Sequence, residues 1–415
     1  MSIIQFLLLT VSVIMAVTIV LTALLLYAKA RLTPSGKVKI RINHEKVLET
    51  EPGNTLLSTL AGNQIYLPSA CGGGGTCGLC KCRVLSGGGS ILSTETGFFT
   101  RREQQSQWRL GCQVKVREDM EIEIPEQILG VKKWECEVVS NRNVASFIKE
   151  FVIRLPEGEM LDFRSGGYIQ IDVPPVTVDF SKDITVDDVY AGDWKSLGLL
   201  NLKMVNREYG FRAYSMANHP AEGNRIMLNV RIATPPWDRS RGSFMKVNPG
   251  ICSSYIFSRK PGDKVMVSGP YGDFFLKDTH AEKIFIGGGA GMAPMRSHIF
   301  HLFKTLGTQD KVSFWYGARS AGEIFYEEAF REIEADFPNF TFHLALSEPK
   351  PEDHWTGYTG FIHQVLLDQY LKDHPEPEEA EYYLCGPPLM TAAAIRMLDN
   401  LGVSEDHILF DDFGG

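Results

Sequence analysis

The sequence predicts a multidomain protein, with one transmembrane helix at residues 3–28 and three folded domains at 36–130, 131–275 and 276–415. Residues 3–28 are mostly apolar and contain no charged side chain. Residues 131–275 hold short stretches that alternate polar and apolar residues between turns, which is typical of an antiparallel β-barrel. From residue 276 onward, apolar strands alternate with helices, which predicts a doubly wound α/β domain around a parallel sheet.

Composition excludes some classes of function. The chain has 415 residues, of which 44% are hydrophobic, and a formal net charge of −8. The negative charge argues against a nucleic acid as a partner. The eight cysteines are spaced too unevenly for a secreted disulfide framework. Cys136, Cys252 and Cys385 stand singly, as expected in a reducing compartment.

The apolar run at residues 3–28 is long enough to cross a membrane. As a helix it would measure roughly 39 Å, against a hydrocarbon core of about 30 Å. The alternative is a cleaved signal peptide, because Ala28-Lys29-Ala30 has the A-x-A form of a cleavage site. The run is longer than a signal core, no Lys or Arg precedes it, and positive charges follow it. We therefore expect a single-pass anchor with the folded domains in the cytoplasm.

Three cysteines lie close together on a glycine-rich loop, Cys71, Cys77 and Cys80, and Cys112 follows downstream. Iron–sulfur clusters are held by thiolates, and a plant-type 2Fe–2S site has the spacing C-x4-C-x2-C…C. Here the first interval is one residue longer. Glycine supplies the positive φ values and the close backbone approach that a loop around a cluster needs. We predict that these four cysteines are the ligands of a 2Fe–2S cluster.

Zinc and disulfides are the alternatives at this loop. Structural zinc sites usually show two C-x2-C pairs, and only one is present, so we rank zinc below the cluster and disulfides below zinc. Cys82 follows at the point where a strand over residues 82–85 resumes. We expect it to pack within that strand, although the sequence leaves open an exchange with one of the ligands.

The rest of the 36–130 domain is predicted to be a small sheet with one main helix. Residues 37–48 indicate a β-hairpin, and a helix begins at Leu56 with Thr55 as its N-cap. Residues 101–108 are a second helix candidate. Together with the cysteine loop, this arrangement resembles a β-grasp ferredoxin domain.

The 131–275 domain carries a candidate flavin site. In Arg212-Ala-Tyr214-Ser215, the guanidinium can pair with phosphate, the aromatic ring offers a face to a flavin, and the hydroxyl can bond a ring nitrogen. A strand and a helix start follow, and free amides at a helix start favour a pyrophosphate. The predicted cofactor-binding residues here are Arg212, Tyr214, Ser215, Asn229, Arg231, Gly250, Ile251, Cys252 and Ser253. This order resembles the flavin domain of the ferredoxin–NADP reductase superfamily. The insertion at 174–208 has no assigned role.

The 276–415 domain carries a candidate dinucleotide site. An apolar strand leads into Gly287-Gly-Gly-Ala-Gly291-Met-Ala-Pro294 and then into a helix, the setting in which a pyrophosphate lies on a helix N-terminus. The G-G-x-G-x-x-P form resembles the nicotinamide domain of the same superfamily. After the second strand, Glu323 favours NADH by accepting from ribose hydroxyls, whereas Arg319 favours NADPH by holding a 2′-phosphate. The predicted cofactor-binding residues are Gly287, Gly289, Gly291, Pro294, Arg319, Glu323, Cys385 and Gly386.

Ser215, Cys385 and Phe413 are the predicted catalytic residues. Cys385 ends the strand at 381–384, at the carboxyl edge of the sheet where ligands bind in such folds. In the resembled superfamily this cysteine lies near the nicotinamide. A near-terminal aromatic there covers the flavin and moves aside for nicotinamide, and Phe413 is the matching position, which we also count among the cofactor-binding residues.

The whole chain resembles the F subunits of sodium-translocating NADH:quinone reductases in its N-terminal helix, its cysteine loop, the insertion before R-x-Y-S and the D-D-F-G-G end. The resemblance implies NADH as donor, FAD, a 2Fe–2S cluster, and the other membrane subunits of a sodium-pumping complex in the bacterial inner membrane that reduces ubiquinone. A flavin is needed between a two-electron donor and a one-electron cluster. The alternatives are a membrane-anchored reductase that serves an oxygenase, and a non-enzymatic scaffold with relic nucleotide folds.

Overall fold

The computed structural model describes residues 3–32 and 36–411. The predicted N-terminal helix forms, and α1 covers Ile3–Leu32. Its described apolar side chains are more than half exposed, with Leu25 at 71%. Within the described part of the chain, no helix combines the length and the apolar character that crossing a membrane requires.

The chain divides into two compact units. The first holds residues up to Pro68 together with Gly73–Gly130, and the second holds Ser69–Gly72 and everything from Val131 onward.

The first unit is built on a five-stranded sheet in the order β2-β1-β5-β3-β4, with β1 and β5 parallel. Thr55 caps α2 as predicted, because its hydroxyl accepts a hydrogen bond from the amide of Ser58 at 3.2 Å. The predicted hairpin and the strand that contains Cys82 are confirmed. The elements after α1 are β1 (Val38–Ile42), β2 (Lys46–Thr50), α2 (Leu56–Gly62), β3 (Lys81–Ser86), α3 (Arg101–Gln105), β4 (Trp108–Leu110), β5 (Met120–Glu123) and α4 (Glu126–Leu129).

The helix predicted over residues 101–108 was too long. A capping box between Thr100 and Glu103 begins α3, but the helix ends at Gln105. Gln107 has a φ of 63°, which a helix does not allow, and Trp108 begins β4.

The second unit begins with the predicted antiparallel barrel. Six strands lie in the order β11-β8-β15-β6-β7-β12, and a bridge between Met216 and Leu228 joins the two ends. The barrel encloses an apolar core that includes Phe151 and Ile171, both fully buried. Its strands are β6 (Lys132–Ala145), β7 (Ile148–Arg154), β8 (Tyr168–Val173), β11 (Gly210–Ser215), β12 (Arg225–Arg231) and β15 (Lys264–Tyr271), and α7 (Ile251–Ser258) packs on it.

The insertion folds onto the barrel as a small subdomain. Its antiparallel pair, β9 (Val176–Asp179) and β10 (Lys203–Asn206), flanks α5 (Phe180–Asp183) and α6 (Ala191–Ser196). Trp194 on α6 is fully buried against Phe257 and donates a hydrogen bond to the carbonyl of Ser146 at 2.6 Å. The short strands β13 (Trp237–Asp238) and β14 (Ser243–Phe244) pair with each other.

The predicted parallel sheet follows, with six strands in the order β19-β18-β17-β16-β20-β21. The chain moves outward from β16 through β17 to β19 and then returns to the other side of β16, so the order reverses beside that strand. The strands are β16 (Lys283–Gly288), β17 (Val312–Ala318), β18 (Phe340–Leu346), β19 (Tyr358–Thr359), β20 (Glu381–Cys385) and β21 (Ile408–Asp411), and the helices are α8 (Met292–Phe300), α9 (Glu327–Asp336), α10 (Ile362–Gln369) and α11 (Pro388–Asn400). After α8, residues His301–Leu306 continue as a wider π-helical turn.

Candidate functional site

A cavity of about 780 Å³ opens at the carboxyl edge of the parallel sheet, beside the strand where the order reverses. Ligands bind at this position in open α/β sheets, and the volume suits a cofactor. Six of the predicted cofactor residues line the cavity, namely Arg231, Gly289, Gly291, Arg319, Glu323 and Gly386. It is also lined by Glu348, Met390 and His363, which the sequence did not single out.

Close backbone approach shapes one wall of this cavity. A Cβ on Gly291 would lie 2.0 Å from the carbonyl oxygen of Cys385, so only glycine lets the start of α8 approach the end of β20. Gly289 has a φ of 56° in the same turn. Gly287 lies at the end of β16, and Pro294 is buried in the first turn of α8, where a missing amide costs little. The amides at the start of α8 are therefore available to an anion.

Glu323 is the one predicted acidic residue in the cavity, and two arginines flank it. Its side chain is only 9% exposed, and its carboxylate lies 3.7 Å from Arg319 Nε and 4.0 Å from Arg231 Nη1. Arg231 extends from the barrel strand β12, so the barrel and the α/β domain both contribute to this wall. The sequence grouped Arg231 with the flavin residues, whereas its side chain lines the cavity in the α/β domain.

Ser215 and Cys385 are brought together through Asp411. The Ser215 hydroxyl donates a hydrogen bond to Asp411 Oδ2 at 2.6 Å. Asp411 on β21 lies opposite Cys385 in the ladder with β20. Both predicted residues are buried, Ser215 at 7% exposure and Cys385 at 0%. Sequence reasoning missed Asp411, although the apolar run 408–410 just before it carries the signal of a strand.

A smaller cavity of about 160 Å³ lies against the barrel and contains Arg212, Ile251 and Cys252 from the predicted flavin set. Tyr214 packs against the barrel core, and burial, with a smaller contribution from a hydrogen bond to Cys252, raises the pKa of its hydroxyl. The amide nitrogen of Gln170 on β8 is buried without a hydrogen-bond partner. Gln170 lies opposite Ala213, between the arginine and tyrosine of the motif. This unpaired donor fits a flavin, whose ring system carries acceptors.

Two predicted flavin residues have other partners in the fold. Asn229 donates to the Tyr326 hydroxyl at 2.8 Å, and its own oxygen is buried without a partner. The Ser253 hydroxyl accepts from the amide of Ala233 at 3.1 Å and donates to the carbonyl of Gly250 at 3.2 Å. In this arrangement, Ser253 supports the start of α7 with its hydroxyl and offers its amide to an anion.

The cysteine loop has the conformation that its glycines predict. Gly73, Gly75 and Gly78 have φ values of 92°, 76° and 70°. In the first unit, Cys80 and Cys112 are 1% and 5% exposed, and a hydrogen bond between them, together with burial, raises the pKa of Cys80. Bare thiolates are therefore disfavoured there, and the irons of a cluster would supply the positive charge that stabilises them. Cys71 lies in the short segment grouped with the second unit.

No disulfide joins any of the eight cysteines, all of which lie in the described ranges. Those ranges contain no group of three or more histidine, cysteine or acidic side chains placed around one metal ion. A binuclear cluster does not need such a group, because it has two protein ligands on each iron. Cys82 is fully buried and donates from its sulfur to the carbonyl of Arg109 at 3.9 Å. The four-cysteine ligand set stays a prediction, and Phe413 lies outside the described residues.

Family models match the chain in three places. Residues 40–117 match a 2Fe-2S iron-sulfur cluster binding domain, residues 197–276 an oxidoreductase FAD-binding domain, and residues 285–396 an oxidoreductase NAD-binding domain. The three cofactors predicted from the motifs are those that these domains bind.

Solved structures share the fold of most of the chain. The Amycolatopsis cytochrome P450 reductase GcoB has a TM-score of 0.62 and 23% sequence identity, and the comparison covers 91% of this chain and 98% of that one. The ferredoxin reductase in carbazole 1,9a-dioxygenase has a TM-score of 0.58 and 24% identity over the same shares. At this level of identity the likeness concerns the fold alone.

Curated relatives are much closer in sequence. The F subunit of the Na(+)-translocating NADH-quinone reductase of Klebsiella pneumoniae is 56% identical over 401 residues, which cover 96% of this chain and 97% of the relative. The protein of the same name in Marinomonas sp. is 54% identical over 400 residues, with the same coverage. The chain therefore belongs to the family of F subunits of the Na(+)-translocating NADH-quinone reductase.

Proposed function

We propose that this chain is the electron-input subunit of a sodium-translocating NADH:quinone reductase. It oxidises NADH at an FAD and passes single electrons through a 2Fe–2S cluster towards ubiquinone. The observation that carries the proposal is the 53–56% identity to F subunits over nearly the whole chain. The cavity of about 780 Å³, where a dinucleotide-type glycine turn lies beside Arg231 of the barrel, supports the nucleotide as donor. When bound, the flavin takes up a hydride and releases electrons singly, and the cluster carries one electron at a time.

The residues that line the cavity support an NADH-binding site. The amide groups at the start of α8 and the Arg231 guanidinium would hold the pyrophosphate. Glu323 supports NADH over NADPH, since a carboxylate beyond the second strand accepts hydrogen bonds from ribose hydroxyls. Arg319, the residue that would hold a 2′-phosphate, is already paired with Glu323 at 3.7 Å, and the Glu323 carboxylate itself would repel that phosphate.

Ser215, Asp411 and Cys385 support the place of hydride transfer. The hydroxyl of Ser215 has a carboxylate partner that fixes its direction, and Cys385 lies in the ladder beside that carboxylate. We propose that Tyr214 and Arg212 hold the flavin and its phosphates. Phe413 keeps its predicted role of covering the flavin until nicotinamide arrives.

We propose Cys71, Cys77, Cys80 and Cys112 as the cluster ligands, and residues 3–28 as a single-pass anchor that keeps the domains on the cytoplasmic side of the bacterial inner membrane. The uncharged run and the positive residues after it support the anchor. A lone helix without charged residues offers no path for sodium. The sodium path and the quinone site therefore belong to partner subunits.

The donor is tested with the full chain in detergent, loaded with FAD. NADH is expected to bleach the flavin absorbance at least about tenfold faster than NADPH, because a 2′-phosphate would meet the Glu323 carboxylate. Glu323→Gln should reduce the ratio of the bleaching rate with NADH to the bleaching rate with NADPH. Glu328→Gln, at an exposed position of α9, is the matched control and should preserve it.

Bleaching at equal rates by both nucleotides would refute the choice of NADH, and no bleaching by either would refute the enzyme proposal.

The oxygenase alternative has no comparable support. The oxygenase reductases among the solved structures share 23–24% identity with the chain, against 53–56% for the curated F subunits.

A further inference from the structure

A buried ion pair lies in the first unit. Neither of its residues has been assigned a role above. The Glu95 side chain is 0% exposed and the Arg109 side chain 6%. Arg109 Nη2 donates to Glu95 Oε2 at 2.8 Å, and Arg109 Nε lies 3.0 Å from Oε1. Burying two charges is costly unless every polar atom has a partner. A buried ion pair is therefore expected to have a role besides stabilising the fold.

The pair is satisfied by backbone groups from three segments. Glu95 accepts from the amides of Leu92, at 3.0 Å, and Leu110, at 2.9 Å. Arg109 Nη1 donates to the carbonyls of Gly88 and Gly89, both at 3.0 Å. A removed partner would leave a buried charge and several unpaired backbone groups.

One of these segments is the turn that carries Cys112. The Leu110 carbonyl accepts from the amides of Gln113 and Val114, at 2.8 and 3.2 Å, which closes the turn around Cys112. The amide of Gly111 donates to the carbonyl of Cys80 at 2.8 Å. Glu95 therefore fixes Leu110, the residue at which the turn begins. The hydrogen bond from Gly111 connects the same turn to Cys80, a second predicted ligand.

We propose that Glu95 and Arg109 form a positioning pair for the iron–sulfur cluster. The pair holds Cys112 in register with Cys80. Because the charges of Glu95 and Arg109 cancel, the pair adds no net charge beside the cluster. This inference rests on the proposed function, because it assumes the cluster at these cysteines. It adds a role for two residues that are not ligands.

The test is Glu95→Gln in the full chain, purified with its cofactors. Glutamine keeps the shape but leaves the Arg109 charge uncompensated. A positive charge near the cluster favours the reduced form, so the midpoint potential should shift to a more positive value. The EPR spectrum of the reduced cluster should change, and a chelator should remove iron faster. NADH should still reduce the flavin at the wild-type rate.

Glu123→Gln is the matched control, because Glu123 also pairs with an arginine in the same sheet, but there the arginine and glutamate side chains are 38% and 30% exposed. It should keep the potential of the wild type. In Glu95→Gln/Arg109→Met both charges are absent, so the potential should return towards the wild-type value. Loss of the cluster from Glu95→Gln with flavin reduction intact would also support the proposal.

A Glu95→Gln protein with the potential, the EPR spectrum and the iron retention of the wild type would overturn it. If that variant cannot be purified, Glu95→Asp decides, because it keeps the charge and shortens the reach. Iron retention equal to the wild type would then overturn the proposal, and faster loss at an unchanged potential would support it. A wild-type chain without a 2Fe–2S signal would instead refute the proposed function.

Discussion

Asp411 alters the chemistry expected of Ser215. A serine hydroxyl alone can rotate among several partners, whereas the 2.6 Å bond to Asp411 Oδ2 orients its proton towards the carboxylate and leaves its oxygen lone pairs as acceptors. A hydrogen bond to an ionised group is worth about 1.5–3 kcal/mol. The position of Asp411 beside Cys385 means that one strand lies next to two of the three predicted catalytic residues.

Asp411→Asn should slow the reduction of flavin by NADH roughly 3- to 10-fold, because the asparagine oxygen can still accept from Ser215 but lacks the charge that makes the bond about twice as strong as a neutral one. Stopped-flow absorbance at a saturating NADH concentration measures the rate, and nucleotide affinity should change little. Asp406→Asn, at an exposed position in the turn before β21, is the control. An unchanged rate in Asp411→Asn would remove Asp411 from the reaction.

At the residue scale, the sequence identified residue types better than it identified their neighbours. The Arg212-Tyr214-Ser215 motif pointed to a flavin because its side chains have a chemistry that can be read without a structure. Arg231 was grouped with them, yet it lines the larger cavity, because the barrel strand that carries it ends beside the glycine turn. Asp411 was missed for the same reason, since its partner is 196 positions away in the chain.

The glycine turn between β16 and α8 is the element on which the nucleotide site depends. Its Gly291 approaches the carbonyl of Cys385 so closely that a Cβ would lie 2.0 Å from the oxygen. Real side chains never make such a contact, so the turn and the end of β20 must separate if a side chain is added. The separation would widen the cavity at the helix start.

Gly291→Ala should destabilise the α/β domain by about 1–3 kcal/mol, the usual cost of overpacking, and should weaken NADH binding. Thermal unfolding and titration of the flavin protein with NAD⁺ measure the two effects. Gly192→Ala is the matched control, because a Cβ there meets no atom within 4 Å. Unchanged affinity in Gly291→Ala would show that the close approach does not shape the nucleotide site.

At the element scale, periodicity predicted the strands of the parallel sheet well because they are buried on both faces and appear as continuous apolar runs. The strand predicted at 381–384 forms as Glu381–Cys385, and all of its residues are buried. The helix expected over 101–108 was too long because a positive φ at Gln107 is not visible in a polar sequence. The helix expected after Pro294 begins at Met292, so Pro294 lies within its first turn.

At the scale of the whole molecule, the three cofactor domains follow one another in the chain in the order cluster, flavin and nicotinamide. Their predicted residues lie at 71–112, 212–253 and 287–413, and no predicted cofactor residue lies in the first 32. We therefore expect the N-terminal run to be unnecessary for NADH oxidation. Under the proposed function, its role is to attach the chain to membrane partners.

Removal of residues 1–32 should leave NADH-dependent bleaching of the flavin at the wild-type rate, because every predicted cofactor residue is retained. The same truncation should abolish ubiquinone reduction by NADH in membrane vesicles and the sodium export that accompanies it. It should also abolish co-purification of the chain with integral membrane proteins after gentle solubilisation. A chain whose helix is replaced by an unrelated apolar helix is the control, and it separates simple anchoring from recognition of a partner. Sodium export sustained by the truncated chain would contradict the anchor, and a soluble hydroxylase as the co-purifying partner would favour the oxygenase alternative.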